Sequence, residues 1–342
     1  MRTALYAGNR SIVLGEADPV PPGPGEVQIA VAYTGICGTD LHILHGAMDR
    51  RVAVPQVIGH EMAGRIAAVG DGVAGHPIGQ PVTVMPLAWC GDCPACRAGH
   101  RHICHRLRFV GIDSPGSMQQ RWTVPAGLVV PLPPDLPLAR GALVEPTAVA
   151  VHDVRRAGLA AGEAAVVLGG GPVGMLIALV ARSRDAQVAV VEPDPLRRKV
   201  AVDLGLMAVD PGGPDLVAWT DEWTGGAGAA VVFEVSGTAA AITTATQLLA
   251  VRGRLVVVGI HSEPRAVDLH RFFWRELTMI GARVYDRDDY DTAIDLIHSG
   301  LLPVDALISH IEPLNRAADA FAALERRGAT MKILLDCAGD AS

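Results

Sequence analysis

The chain has 342 residues, half of them apolar, with 38 Gly, 24 Pro and a formal net charge of -7. That length predicts about two domains with a substantial core, and a charged fraction of 19% at this apolar content excludes a disordered or collagen-like chain. The longest apolar runs, 175–181 and 255–260, are too short for a membrane span. Arginines scattered among acids leave no basic footprint for nucleic acid or an anionic membrane.

The first residues run from MRTALY straight into Gly8, without the charged, apolar and small-residue succession of a signal peptide. A cytoplasmic protein with small-molecule partners is expected. Up to about Glu145 the chain reads as short strands broken by Gly and Pro, with alternation at 26–33 and 62–69 and another strand ending within 79–86. From Gly162 the rhythm changes to strand (164–168), helix (172–184), strand (187–191) and charged helix (195–204). Three more strands are expected at 229–235, 253–260 and 277–280, with a helix at 238–250. Together they make a doubly wound parallel sheet. Amphipathic helices at 288–299 and 314–327 and a strand at 331–335 close the chain.

Gly169-Gly170-Gly171-Pro172-Val173-Gly174 fits G-x-G-x-x-G directly after the 164–168 strand and opens a helix, so backbone N–H groups can face a pyrophosphate. An ordinary Gly-rich turn would also match that pattern alone. Glu192 adds weight: it ends the next strand, eighteen residues on, where a carboxylate would accept from the adenosine ribose hydroxyls. Pro193-Asp194 follows, with no basic residue before Arg197. A 2′-phosphate would therefore meet carboxylates, and NAD is expected over NADP.

Four of the six cysteines, Cys90, Cys93, Cys96 and Cys104, fall within fifteen residues. In a cytosolic chain this asks for a metal, and four thiolates close a tetrahedral shell around a structural zinc. The first three also match the opening of an iron–sulfur run. Here the fourth lies seven residues on, His105 rather than Pro follows it, and no second cluster is present, so zinc is favoured. Cys37, His60, Glu61 and Glu145 are each unremarkable alone, since a lone His or Cys is more often core than ligand. Cys37 lies in Gly35-Ile36-Cys37-Gly38-Thr39-Asp40-Leu41-His42, and His60-Glu61 follows Gly59. One thiolate, one imidazole and one carboxylate suit a catalytic zinc with an open position.

These motifs, in this order and spacing and with Val144-Glu145-Pro146, make the sequence resemble the zinc-containing medium-chain alcohol dehydrogenases along essentially its whole length. It is most similar to the polyol, 2,3-butanediol and threonine dehydrogenase branch. The resemblance implies an α/β chain: a GroES-like, mostly-β catalytic domain from 1–146 and 286–342, with a structural zinc lobe at about 86–108, and a Rossmann domain at 147–285. It implies a homodimer or homotetramer, often paired through the last strand of the nucleotide domain. It implies two zinc ions per chain: a catalytic one on Cys37, His60 and Glu61, with Glu145 binding the ion or its water, and a structural one on the four clustered cysteines.

By the same resemblance, Asp40 would orient His60, Thr39 would accept the substrate proton, and His42 would deliver it to solvent by way of the nicotinamide ribose. Arg197 would contact the adenosine end, with Arg198 facing solvent. His45, His152, His261 and His298 are taken as structural. The expected reaction moves a hydride between a secondary alcohol, such as a diol, polyol or amino or hydroxy alcohol, and NAD. Ile43 and Ile112 replace polar residues common in the polyol branch and argue against a long polyhydroxylated chain. Arg283-Val284-Tyr285 matches that branch only in part, and Gly116-Ser117-Met118-Gln119 replaces its usual Gly-Gly-Phe-Ala. The alternatives are a zinc-free quinone or enoyl reductase, and a non-catalytic zinc-stabilised dinucleotide-binding protein.

Overall fold

The computed structural model describes residues 1–326, 328 and 330–339, so the last residue of the expected 314–327 helix lies outside it. The chain divides into two compact units: Met1–Glu145, Asp286–Ser299 and Leu307–Ser342 form one, Pro146–Tyr285 and Gly300–Ala306 the other. The stretch Gly300–Ala306, expected with the catalytic domain, groups with the nucleotide unit. No helix among the described residues is long and apolar enough to cross a membrane.

The first unit opens with β1 (Arg2–Tyr6), β2 (Ile12–Glu16) and β3 (Glu26–Gly35), whose alternating Val27, Ile29 and Val31 are buried. The short helix α1 (Gly38–Leu44) follows, then β4 (Gln56–Val57), β5 (Glu61–Val69), β6 (Pro81–Val84) and β7 (Leu87–Ala88). The cysteine lobe holds α2 (Pro94–Arg97), with Cys93 as its N-cap, and ends at β8 (Arg108–Phe109), which pairs with β7. After β9 (Arg121–Pro125) and β10 (Val129–Pro131) come α3 (Leu138–Gly141) and α4 (Val144–Ala157). Pro146 sits in the first turn of α4, where a missing N–H costs nothing.

The nucleotide unit is a six-stranded parallel sheet in the order β13-β12-β11-β14-β15-β16. Its elements are β11 (Ala164–Leu168), α5 (Pro172–Arg182), β12 (Gln187–Val191), α6 (Pro195–Asp203), β13 (Met207–Val209), α7 (Leu216–Trp223) and β14 (Ala229–Glu234). They continue with α8 (Ala239–Leu248), β15 (Leu249–Val257), α9 (Leu269–Arg275) and β16 (Thr278–Gly281). Strands buried on both faces read as continuous apolar runs, as Ala165, Val166, Val167 and Leu168 do. β15 begins four residues before the expected strand, and α8 ends correspondingly early.

The chain then returns to the first unit through α10 (Arg287–His298), β17 (Ile308–Pro313), α11 (Ala317–Glu325) and β18 (Lys332–Asp336). β18 pairs antiparallel with β3, Leu334 opposite Gly35, and β3 pairs with β5, Gly35 opposite Glu61. The larger sheet of this unit runs β10-β6-β5-β3-β18-β17, with β9 also on β3. Two ends of the chain are thus woven into one sheet around β3.

Candidate active site and zinc centres

Cys37 starts α1 as its N-cap: its sulfur accepts from Thr39 N at 3.5 Å, and the Asp40 carboxylate accepts from Cys37 N at 2.8 Å. This reciprocal cap fixes where the sulfur points. His60 directly precedes β5 and Glu61 is that strand's first residue. Two glycines make room: a Cβ on Gly35 would run into Glu61 Oε2, and one on Gly111, at φ 97°, would run into Gly59 O. Gly116 N, Ser117 N and Met118 N donate to Val57 O, Gly59 O and Ile58 O, so the unusual Gly116–Gln119 segment braces the backbone that leads into His60.

The structure brings Cys37, His60 and Glu61 together, with one donor atom of each within 4.8 Å of the others. Glu145 is buried and its charge acts on His60 and Lys332, but its carboxylate lies outside that converging set. Asp40 Oδ1 faces His60 Nδ1 at 3.8 Å, longer than a hydrogen bond, which leaves the other ring nitrogen for an ion. Burial pushes the Asp40 carboxyl up to about 6. Burial opposes charge on His60, yet Asp40, then Cys37 and Glu145, outweigh it and push the ring up to about 10. Anionic groups crowded round one buried imidazole draw positive charge to the spot, and a divalent cation supplies it as a proton does. The donor set of sulfur, nitrogen and oxygen fits zinc.

Lys332, the first residue of β18, belongs to this centre and carries no motif in the sequence. It is 3% exposed, and its Nζ donates to both Glu61 oxygens, at 2.8 and 2.6 Å, and to Ile36 O at 3.2 Å. Its one visible signal is a lysine at the head of the apolar run ILL. Phe109 is the other unforeseen neighbour, set edge-on to the His60 ring with centroids 5.1 Å apart. Thr39 is half-buried and His42 exposed, three residues apart on α1. Ile43 and Ile112, weighed as apolar replacements near substrate, are both buried.

Cys90, Cys93, Cys96 and Cys104 form a second donor set, with sulfurs 3.4 Å (Cys104–Cys90), 3.8 Å (Cys93–Cys104) and 4.0 Å (Cys90–Cys96) apart. Backbone N–H groups of Cys96, Cys90 and Arg106 point at these sulfurs. The Cys96 N–H draws Cys93 down to about 6, whereas burial pushes Cys96 up to about 12. Charging one sulfur opposes charging the next, and a zinc ion among them removes that conflict.

In the nucleotide unit Gly171 caps α5 with Pro172 first in the helix, and a Cβ on Gly174 would strike Gly169 O, so the turn and helix pack backbone to backbone. Glu192 is buried. Its Oε2 accepts from Gly170 N at 2.7 Å and its Oε1 from Asp194 N at 2.9 Å, tying the end of β12 to the glycine turn. Asp194 caps α6, and Arg197 Nη1 would lie 3.9 Å from a Cβ on Gly171. Arg198 does not face solvent as expected. It donates to Glu192 O and Pro193 O and pairs with Asp210 at 2.7 Å, because the tight turn after β12 leaves carbonyls that need a donor. His45 and His298 pair with Glu325 and Asp135 at the surface, and His152 meets Arg155.

Residues 23–134 match the model of the alcohol dehydrogenase GroES-like domain, and residues 172–299 that of the zinc-binding dehydrogenases. The chain is 51% identical over 337 residues to the 2-dehydro-3-deoxy-L-galactonate 5-dehydrogenase of Pseudoalteromonas atlantica, covering 98% of this chain and 99% of the relative. It is 34% identical over 328 residues to the L-threonine 3-dehydrogenase of Pyrococcus abyssi, covering 94% of each. The crystal structure of 2R,3R-butanediol dehydrogenase from Bacillus subtilis superposes with a TM-score of 0.91 at 30% identity, over 98% of this chain and 99% of that one. A GroES-like domain, a Rossmann-type domain and relatives that are all alcohol oxidoreductases leave no support for a zinc-free reductase or a non-catalytic binding protein. This chain belongs to the zinc-containing medium-chain alcohol dehydrogenase family and is an alcohol oxidoreductase.

Proposed function

We propose that this enzyme oxidises a secondary alcohol of a six-carbon sugar acid, passing the hydride to NAD, and that 2-dehydro-3-deoxy-L-galactonate is its substrate; the expectation against a polyhydroxylated chain is set aside, since Ile43 and Ile112, on which it rested, are both buried. The observation that carries the reaction is the convergence of Cys37, His60 and Glu61 within 4.8 Å. The substrate rests on the 51% identical relative. Cys37, His60 and Glu61 would hold a catalytic zinc with Glu145 beside it, and the four clustered cysteines a structural one. Zinc at the first position supplies Lewis acidity that lowers the pKa of a hydroxyl beside it. The chain's own residues do the rest. The Thr39 hydroxyl receives the proton of the substrate alcohol, and His42, exposed on α1, hands it to water. Bound NAD⁺ would supply the hydride acceptor, so that secondary alcohol and NAD⁺ would become ketone, NADH and one proton.

Charge at the adenosine end favours NAD. Glu192 and Asp194 both stand there, and the nearby Arg198 is neutralised by Asp210. A homodimer or homotetramer in the cytoplasm completes the reading; among the described residues β16 is an edge strand of the sheet, and Phe273 and Trp274 of α9 are exposed. Initial rates of NADH formation from 2-dehydro-3-deoxy-L-galactonate, L-threonine, 2,3-butanediol and sorbitol test the substrate. The sugar acid should give the highest kcat/KM. A higher value for threonine or the diol would move the substrate to that class.

A further inference from the structure

The nucleotide unit holds a second buried carboxylate that hydride transfer, as described above, does not use. Glu234 ends β14 and is fully buried. Its Oε1 accepts from Ser236 Oγ at 2.7 Å and from Gly237 N at 2.8 Å, and its Oε2 faces His261 Nε2 at 2.9 Å. Gly259 makes this possible, because a Cβ there would come within 2.8 Å of Glu234 Oε2 and 2.5 Å of Gly237 N. One carboxylate therefore locks the segment after β14 against the segment after β15. Ser236 N also donates to Leu168 O at 3.1 Å, beside the glycine turn.

The position in the sheet says what this cluster faces. Strand order reverses between β11 and β14. A dinucleotide whose pyrophosphate lies on the glycine turn has its adenosine over the end of β12, where Glu192 stands, and its other half over the ends of β14 and β15. A carboxylate only accepts hydrogen bonds, so Nε2 of a neutral His261 carries the hydrogen and Nδ1 is left an acceptor. Nδ1 is buried and has no hydrogen-bond partner among the described residues. An imidazole fixed in one tautomer by a buried acid, with its other nitrogen shielded and unmatched, is an acceptor waiting for a donor.

We infer that His261 is a binding residue for the nicotinamide half of the cofactor: Nδ1 accepts a hydrogen bond from a donor there, the carboxamide NH2 or a ribose hydroxyl, while Glu234 positions the ring. This rests on the dinucleotide reading of the unit and goes beyond it, since the sequence offered His261 only as a structural residue.

Equilibrium titration of the full-length, zinc-loaded enzyme with NADH, with the reduced 3-acetylpyridine analogue and with ADP tests the inference. His261→Leu should weaken NADH about tenfold, one hydrogen bond's worth, and leave ADP unchanged. His261→Asn, whose amide oxygen can stand where Nδ1 stood, should recover much of the loss, whereas His261→Gln, which reaches only towards Glu234, should not. The acetylpyridine analogue carries a methyl group in place of the NH2. If His261→Leu leaves its affinity unchanged, the carboxamide is the donor; if that affinity falls as NADH's does, a ribose hydroxyl is. Unchanged NADH affinity in His261→Leu overturns the inference while leaving the cofactor site intact. Equal losses for ADP and NADH, or no rescue by Asn, overturn it in favour of a structural role. Wild-type enzyme that binds neither ADP nor NADH overturns the dinucleotide reading itself.

Discussion

Lys332 and Glu61 are a buried ion pair at 2.6 Å. Removing one member leaves an uncompensated buried charge, so Lys332→Met should cost the metal-free protein about 3–5 kcal/mol in denaturant unfolding. Lys332→Met with Glu61→Gln should cost clearly less, because no bare charge remains. Equal losses in the single and double variants would mean that Lys332 acts through packing alone. At the other end of the site, Thr39→Val keeps volume and deletes the hydroxyl. We expect kcat to fall about 10²- to 10⁴-fold with NADH affinity unchanged; an unaltered kcat would remove Thr39 from the proton path. Cys37, His60 and Glu145 stand out in the sequence because their motifs lie at family spacing. Lys332 does not, since its meaning depends on β18 returning beside β3, a long-range pairing that no local pattern announces.

Elements decide two further outcomes. The lobe from β7 to β8 is held by few apolar side chains besides Trp89, Ala95 and Leu107 packed on the cysteines. Cys93→Ser opens the four-sulfur shell while its hydroxyl can still cap α2, so the loss should come through the metal: Tm and zinc content should fall together, and excess zinc should restore neither fully. On the proposed reading, the turn after β12 sets cofactor choice. Glu192→Ala with Asp194→Ser removes two carboxylates yet keeps a hydroxyl to cap α6, so KM for NAD should rise and KM for NADP fall. A wild type with equal kcat/KM for both cofactors would contradict the placement of Glu192 at the ribose. The central strands β11, β12 and β14 of the parallel sheet are legible because both faces are buried, and α5 because Gly171 and Pro172 mark its start. Less legible are β13, with three residues, and α9, with seven and none buried, since neither length nor periodicity separates them from loop. β17 (ISHIEP) is half polar with no residue fully buried, and α4 is hidden by Pro146, which ends a helix reading when it falls inside but is tolerated in the first turn.

At the scale of the whole molecule, one unit is built from both chain ends around β3 and the other from the middle, and both donor sets, Cys37 with His60 and Glu61 and the four clustered cysteines, lie in the first unit. Metal binding and cofactor binding should then be separable. His60→Ala should remain folded and bind NADH while turning over no substrate. The most direct test of the account is elemental analysis of zinc per chain in the wild type and in His60→Ala, both purified under saturating zinc. Two zinc ions in the wild type and one in the variant are predicted. One ion in the wild type, or two in the variant, would contradict a catalytic zinc on Cys37, His60 and Glu61.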